Sequence, residues 1–279
     1  MKYIYSSLLS VFCLVIANVA QAENVAKPLQ LGFKEPASPQ MERIASFHDD
    51  LLMWIITGIV IFVTALLVYV CVKFRAKANP TPSKTTHNVV LEILWTAIPV
   101  IILIIIAIPS FKMLYYLDRV EEPDMTLKVT GYQWYWGYEY PDHDGINFLS
   151  YMIPDDEIDP DKGQHRLLST DNPVVLPIDT NIQIIVTAAD VLHSFTIPAF
   201  GIKKDAVTGR LNETWVRIDE PGTYYGQCSE ICGINHAYMP IEIKAVTKEE
   251  FEQWVEKAKE EFTFNYNDNL KFASVEGVL

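Results

Sequence analysis

A two-helix transmembrane hairpin followed by an all-β soluble domain, a sandwich or small barrel with a C-terminal helix, is the fold class this 279-residue sequence predicts. Three observations predict it. Two almost uncharged apolar blocks, residues 51–74 and 93–111, stand close together near the N-terminus. Beyond them, short runs rich in Val, Ile, Thr, Tyr and Trp are separated by turn residues. Near the end, Phe251, Trp254, Val255 and Ala258 recur at helical spacing.

The first 22 residues read as a secretory signal. Lys2 supplies the basic start, residues 8–20 an apolar core, and Ala20-Gln21-Ala22 a small-x-small cleavage pattern. Cleavage after Ala22 would remove Cys13 from the thiol inventory. Residues 23–47 then form an extracytoplasmic N-terminal segment, 48–117 the hairpin and 118–279 the soluble domain.

The first apolar block carries one charge, Lys73, and the second none. About 20 helical residues cross a hydrocarbon core of about 30 Å, so both blocks are long enough to span. Pro99 and Pro109 fall in the second, where membrane helices tolerate proline better than soluble ones do. The loop between the blocks carries Lys73, Arg75, Lys77 and Lys84 and no acid before Glu92. The positive-inside rule puts this loop in the cytoplasm and the soluble domain outside it. Glu92, just before the second block, is either a solvated boundary carboxylate or one that passes protons to a partner subunit.

The net charge of −13 is uneven. From Glu121 to Leu279 there are 28 acidic and 12 basic residues. Such a domain repels nucleic acid and steers basic partners, although acidic surfaces also serve solubility. Strands are expected over 126–140, 181–187, 213–218, 224–227 and 240–246. Leu127 and Val129, and Ile182, Ile184 and Val186, alternate at period two, and Glu220-Pro221-Gly222 is a turn. Residues 141–163, rich in Asp and lacking a clear period, read as a surface loop. Residues 248–262 read as an amphipathic helix and the tail from Asn265 as loosely held.

Chemistry concentrates in twelve residues. Cys228, Cys232, His236 and Met239 have the spacing C-x3-C-x3-H-x2-M. Two cysteines in an exported protein could be a disulfide. Zinc would accept thiolate and imidazole, but seldom a thioether. Soft thiolate and thioether donors together favour copper. A single-copper site uses one Cys, two His and a weak Met, so this loop has one Cys too many and one His too few. His48 and His87 belong with the hairpin, His143 lies in the acidic loop and His165 just beyond it. His193, in Asp190-Val-Leu-His-Ser-Phe, directly follows an expected strand and is the best remote ligand. Two copper ions accommodate the surplus: the thiolates bridge them, each takes one histidine, and Met239 and the Glu230 carbonyl fill weaker axial positions. No base, nucleophile or open coordination position is evident, which suits electron transfer.

These residues resemble subunit II of the haem–copper, aa3-type bacterial cytochrome c oxidases. The resemblance spans nearly the whole chain after the signal and implies a cupredoxin-like β domain with a dinuclear copper centre, CuA. It implies that Cys228 and Cys232 bridge the coppers, that His193 and Met239 serve one of them, and that His236 and the Glu230 carbonyl serve the other. The Glu230 side chain would reach a magnesium shared with subunit I. Within Gly131-Tyr-Gln-Trp-Tyr-Trp-Gly-Tyr-Glu-Tyr140, the resemblance makes Trp134 the point where cytochrome c delivers electrons. Glu139 and Asp190 match docking positions, and Glu92 the mouth of a proton channel. Subunits I and III and membrane lipid are the other implied partners, with haem held only in subunit I. The implied location is the bacterial inner membrane, with the β domain in the periplasm. Two alternatives remain. A membrane-anchored copper-delivery protein would show a thioredoxin-like βαβ pattern, and a quinol-oxidase relative would lack the ligands. A fused cytochrome c domain is excluded, since no C-x-x-C-H occurs.

Overall fold

The computed structural model describes residues 22–118 and 122–262. The expected signal lies outside them except for Ala22, as does the tail from Asn265. Two units are distinct, one spanning Gln40–Arg119 and the other carrying the β domain with the segment before it.

The helical unit holds α1 (Pro39–Phe47), which runs through a widened turn at His48–Leu52 into α2 (Met53–Lys73), and α3 (Val89–Asp118). Both long runs are apolar enough to cross a membrane, and their most apolar windows have no buried residues. Helix starts at Pro39, not at 48, because α1 is polar and amphipathic and hydropathy registers only the apolar stretch after it. In the same way α3 continues beyond Phe111. Arg43 of α1 lies 3.6 Å from the ring centroid of Tyr116 on α3, a cation–π contact. Asn88 caps α3: its Oδ1 accepts from the backbone N–H of Val90 and Leu91 at 3.1 and 3.2 Å.

The β domain contains β1 (Ala22–Asn24), β2 (Met125–Tyr132), β3 (Tyr135–Tyr140), β4 (Ile146–Ser150), β5 (Val174–Pro177), β6 (Ile182–Ala188), β7 (His193–Ile197), β8 (Ile202–Ala206), β9 (Asn212–Val216), β10 (Gly222–Gln227) and β11 (Pro240–Val246). One sheet runs β4-β3-β2-β6-β9, a second β1-β10-β11-β5, and β7-β8 is a separate hairpin. Period-two burial on β2 and β6 turns Leu127, Val129, Ile182, Ile184 and Val186 into the core. Tyr140 joins the sheets: its hydroxyl donates to the Val175 carbonyl at 3.0 Å and accepts from the Val175 N–H at 3.1 Å.

Several elements differ from expectation. The run 126–140 is two strands, because the chain turns at Gln133 and Trp134 and β2 and β3 pair antiparallel. The acidic stretch 141–163 is not all loop. Asp144 and Gly145 take positive φ values of 55° and 69°, the conformation an Asp-Gly hairpin turn requires, and β4 follows. His193 opens a strand of its own. Residues before α1 join the β domain: β1 pairs parallel with β10, and Ala37 donates to the Ala199 carbonyl at 2.9 Å.

Two packing features position the site. A Cβ on Gly226 of β10 would overlap the Thr196 carbonyl of β7, so the two backbones touch. Just beyond, the Ser229 N–H donates to the Ser194 carbonyl at 3.0 Å.

The C-terminal α4 (Lys248–Phe262) begins with a capping box. Thr247 Oγ1 accepts from the Glu250 N–H at 3.2 Å, and Glu250 Oε2 accepts from the Thr247 N–H at 3.0 Å. Its apolar face buries Phe251, Val255 and Ala258, and Trp254 packs 5.1 Å from Tyr140. Each large side chain buried this way contributes on the order of 2 kcal/mol.

Glu242 of β11 is buried, and its Oε2 accepts from the Thr170 N–H at 2.7 Å. Burial raises its pKa, against the opposing pull of that hydrogen bond and of Lys244. Folding therefore favours the protonated form. Its contribution is greatest below the unfolded pKa near 4.5 and is lost as pH rises through the folded value. Glu242→Gln should raise the melting temperature at pH 7, with the advantage disappearing by about pH 4. Thermal melts across that range check both the sign and the window.

Candidate metal centre

The loop from Cys228 to Met239 joins β10 to β11, antiparallel neighbours whose register pairs Gln227 with Pro240. Both cysteines are free thiols, and their Sγ atoms lie 3.9 Å apart, far beyond the roughly 2.05 Å of a disulfide. Donors surround this pair. His193 Nδ1 is 3.8 Å from Cys228 Sγ and the Glu230 carbonyl oxygen 3.3 Å. His236 Nδ1 and Met239 Sδ are each 3.5 Å from Cys232 Sγ. His193, Cys228, Cys232 and Met239 are buried, and His236 is half-buried. His193, Cys228 and Cys232 present ligand atoms within 4.8 Å of one another.

A second layer of contacts orients these donors. Asp190 Oδ1 accepts from His193 Nε2 at 2.9 Å, which fixes the ring with Nδ1 facing Cys228. Asp190 also accepts from the Val191 N–H and, through Oδ2, from the Gln133 N–H at 2.7 Å. Trp134 Nε1 donates to the Cys232 carbonyl at 3.1 Å, and Gln133 Nε2 donates to the same oxygen at 2.8 Å. Trp136 Nε1 donates to the Met239 carbonyl at 3.2 Å. Gly233 takes φ 120°, and a Cβ there would meet Trp134 Cζ2 at 3.0 Å, so the loop lies flat on this ring.

The electrostatics suit a soft cation. Burial pushes the Cys228 thiol up, but hydrogen bonding to His193 and to the backbone at Glu230 and Ser194 outweighs it and brings the pKa to about 7. Burial and the neighbouring Cys228 charge push Cys232 up to about 12. Burial lowers the His193 pKa, yet Cys228 and Asp190 together raise it. Asp190 is raised by burial and lowered further by its three hydrogen bonds. The donor set of two thiolates, two imidazoles, a thioether and a carbonyl fits copper better than zinc or a hard cation.

The expected ligands therefore converge, and Trp134 touches the same loop. Glu230 contributes its carbonyl while its side chain is exposed. Glu139 lies away on β3, paired with Lys128 at 2.7 Å. The Asp190 carboxylate faces inward to the site as well as outward. Glu92 lies in the helical unit, where its Oε1 accepts from the Asn88 N–H at 3.3 Å beside a shallow groove with Ile93, Thr96 and Ala97. Sequence reasoning missed Gln133. Its only local signal is a polar side chain beside Trp134 in an otherwise aromatic run.

Fold and site together define a protein with membrane-spanning helices and a copper-binding β domain of the electron-transfer kind. No βαβ unit occurs among the described residues, against the copper-delivery alternative. Two family descriptions match: "Cytochrome C oxidase subunit II, periplasmic domain" over residues 125–246, and the transmembrane domain of the same subunit over 26–113. The chain is 55% identical over 228 residues to the probable cytochrome c oxidase subunit 2 of Rickettsia bellii, covering 82% of this chain and 84% of that one. It is 48% identical over 247 residues to cytochrome c oxidase subunit 2 of Phytophthora megasperma, covering 87% and 91%. The solved periplasmic domain of subunit II of cytochrome oxidase (CoxB) of Bradyrhizobium japonicum is 49% identical, with a TM-score of 0.48, covering 52% of this chain and 99% of that one. The chain belongs to the cytochrome c oxidase subunit II family, and its cluster of His193, Cys228 and Cys232 is consistent with that family's copper site.

Gly131 of β2 lies against the histidine ligand: a Cβ there would sit 2.8 Å from His193 Cδ2. Gly131→Ala should push the imidazole out of line and weaken copper binding at least about tenfold, with the β fold retained. Copper content alongside circular dichroism reads the two effects separately.

Proposed function

We propose that this chain is the subunit through which electrons enter an aa3-type oxidase, taking them from cytochrome c and passing them toward haem in subunit I. The observation that carries this reading is the cysteine pair, ringed by four further donors and joined to Trp134 through the Cys232 carbonyl. Cys228, Cys232, His193, His236, Met239 and the Glu230 carbonyl would hold the copper pair, which would supply one-electron redox chemistry. The chain's own part is to hold the donors rigid, exclude water from Cys228, Cys232 and His193, and offer Trp134 as a bridge to the surface.

Trp134 is half-buried, with its indole N–H on the ligand loop. That supports it as the point where electrons enter. An acidic domain steers a basic donor by complementary charge, with Glu139 and Asp190 contributing. The exposed Glu230 carboxylate is free to reach magnesium at the subunit I boundary. Glu92, at the start of a membrane helix, is positioned for proton uptake on the cytoplasmic side. The basic loop between α2 and α3 supports a bacterial inner-membrane orientation with the β domain in the periplasm, after removal of residues 1–22. Subunit III and lipid complete the surroundings.

Metal analysis should give two coppers per chain, and electron paramagnetic resonance of the oxidised protein a spectrum of one unpaired electron shared by both. A single copper, or a signal confined to one ion, would refute the paired site.

Trp134→Ala should slow cytochrome c oxidation by at least about tenfold per copper pair still bound, beyond any loss of copper from the loosened loop. Undiminished rapid-mixing kinetics would remove Trp134 from the path.

A further inference from the structure

We propose that Gln133 is a positioning residue that ties the two halves of the ligand set together. This rests on the copper reading above. Gln133 lies in the turn between β2 and β3. Its backbone N–H donates to Asp190 Oδ2 at 2.7 Å, and the other oxygen of that carboxylate accepts from His193 Nε2 at 2.9 Å. Its side-chain Nε2 donates to the Cys232 carbonyl at 2.8 Å. One residue thus reaches a ligand on β7 through one hydrogen-bonded group and a ligand in the β10–β11 loop directly.

The two arms act differently. The backbone arm holds Asp190, and Asp190 stops the His193 ring from rotating. The side-chain arm holds the carbonyl of the residue whose Sγ lies 3.5 Å from both His236 Nδ1 and Met239 Sδ. Fixing that carbonyl fixes the peptide plane and so the direction of the Cys232 side chain. Trp134 shares the acceptor, and a carbonyl has two lone pairs for two donors. Gly233 brings the loop close enough: a Cβ there would lie 3.2 Å from Gln133 Nε2. Gln133 is itself exposed, so water can replace its amide at little cost in stability. Its contribution is directional, and it registers in the metal more than in the fold.

Gln133→Met keeps the length, removes the side-chain donor and leaves the backbone arm intact. Gln133→Lys restores a donor. Both are tested as full chains in the assembled oxidase, following copper transfer to a chelator and the hyperfine pattern of the copper spectrum. Gln133→Met should release copper about tenfold faster with an altered pattern, and Gln133→Lys should recover most of the retention. Equal release and an unchanged spectrum in Gln133→Met would overturn the proposal, and so would failure of both variants to assemble, which would make the residue a folding determinant. If only the lysine variant assembles with copper, the donor role stands. Should the unaltered chain itself hold fewer than two coppers, the reading of the site fails and not the role of Gln133.

Discussion

Strand β10 meets β7 with no space for a side chain at Gly226, and the Ser229 N–H then bonds the Ser194 carbonyl. This backbone contact is the constraint on which the metal centre depends. It sets the first cysteine of the loop beside the histidine that opens β7. Any side chain larger than hydrogen at residue 226 would separate the strands and with them Cys228 and His193. The loop can supply Cys232, His236 and Met239 by itself, but the remote histidine arrives only through this approach.

Around that contact the protein builds rigidity from hydrogen bonds more than from bulk. Trp136 holds the Met239 carbonyl from the core side, and Trp134 and Gln133 hold the Cys232 carbonyl from the surface side. Asp190 locks the His193 ring. A site whose donors are already held in place needs little rearrangement when its charge changes by one electron, and that is the physical requirement for fast transfer.

The β scaffold serves these contacts at both ends. Tyr140 links the two sheets with a doubly bonded hydroxyl, and α4 covers that end with Phe251 and Trp254. The ligand loop is thereby carried on β10 and β11, central strands with partners on both sides, which cannot shift without disturbing the whole sheet.

Sequence alone determined the membrane helices, because a chain crossing lipid must satisfy its backbone internally and so shows itself as an uninterrupted apolar run. It determined the chemistry of the loop, since four donors of known softness fall within twelve residues, and it determined α4, whose apolar spacing is local. Tertiary structure decided the rest. It separated 126–140 into two strands, found β4 after an Asp-Gly turn within the acidic stretch, and drew the residues before α1 onto the β domain. It also decided how far apart the sulfurs stand and gave Gln133 a place beside them. These features depend on backbones distant in sequence coming into contact, which neither local periodicity nor side-chain chemistry encodes.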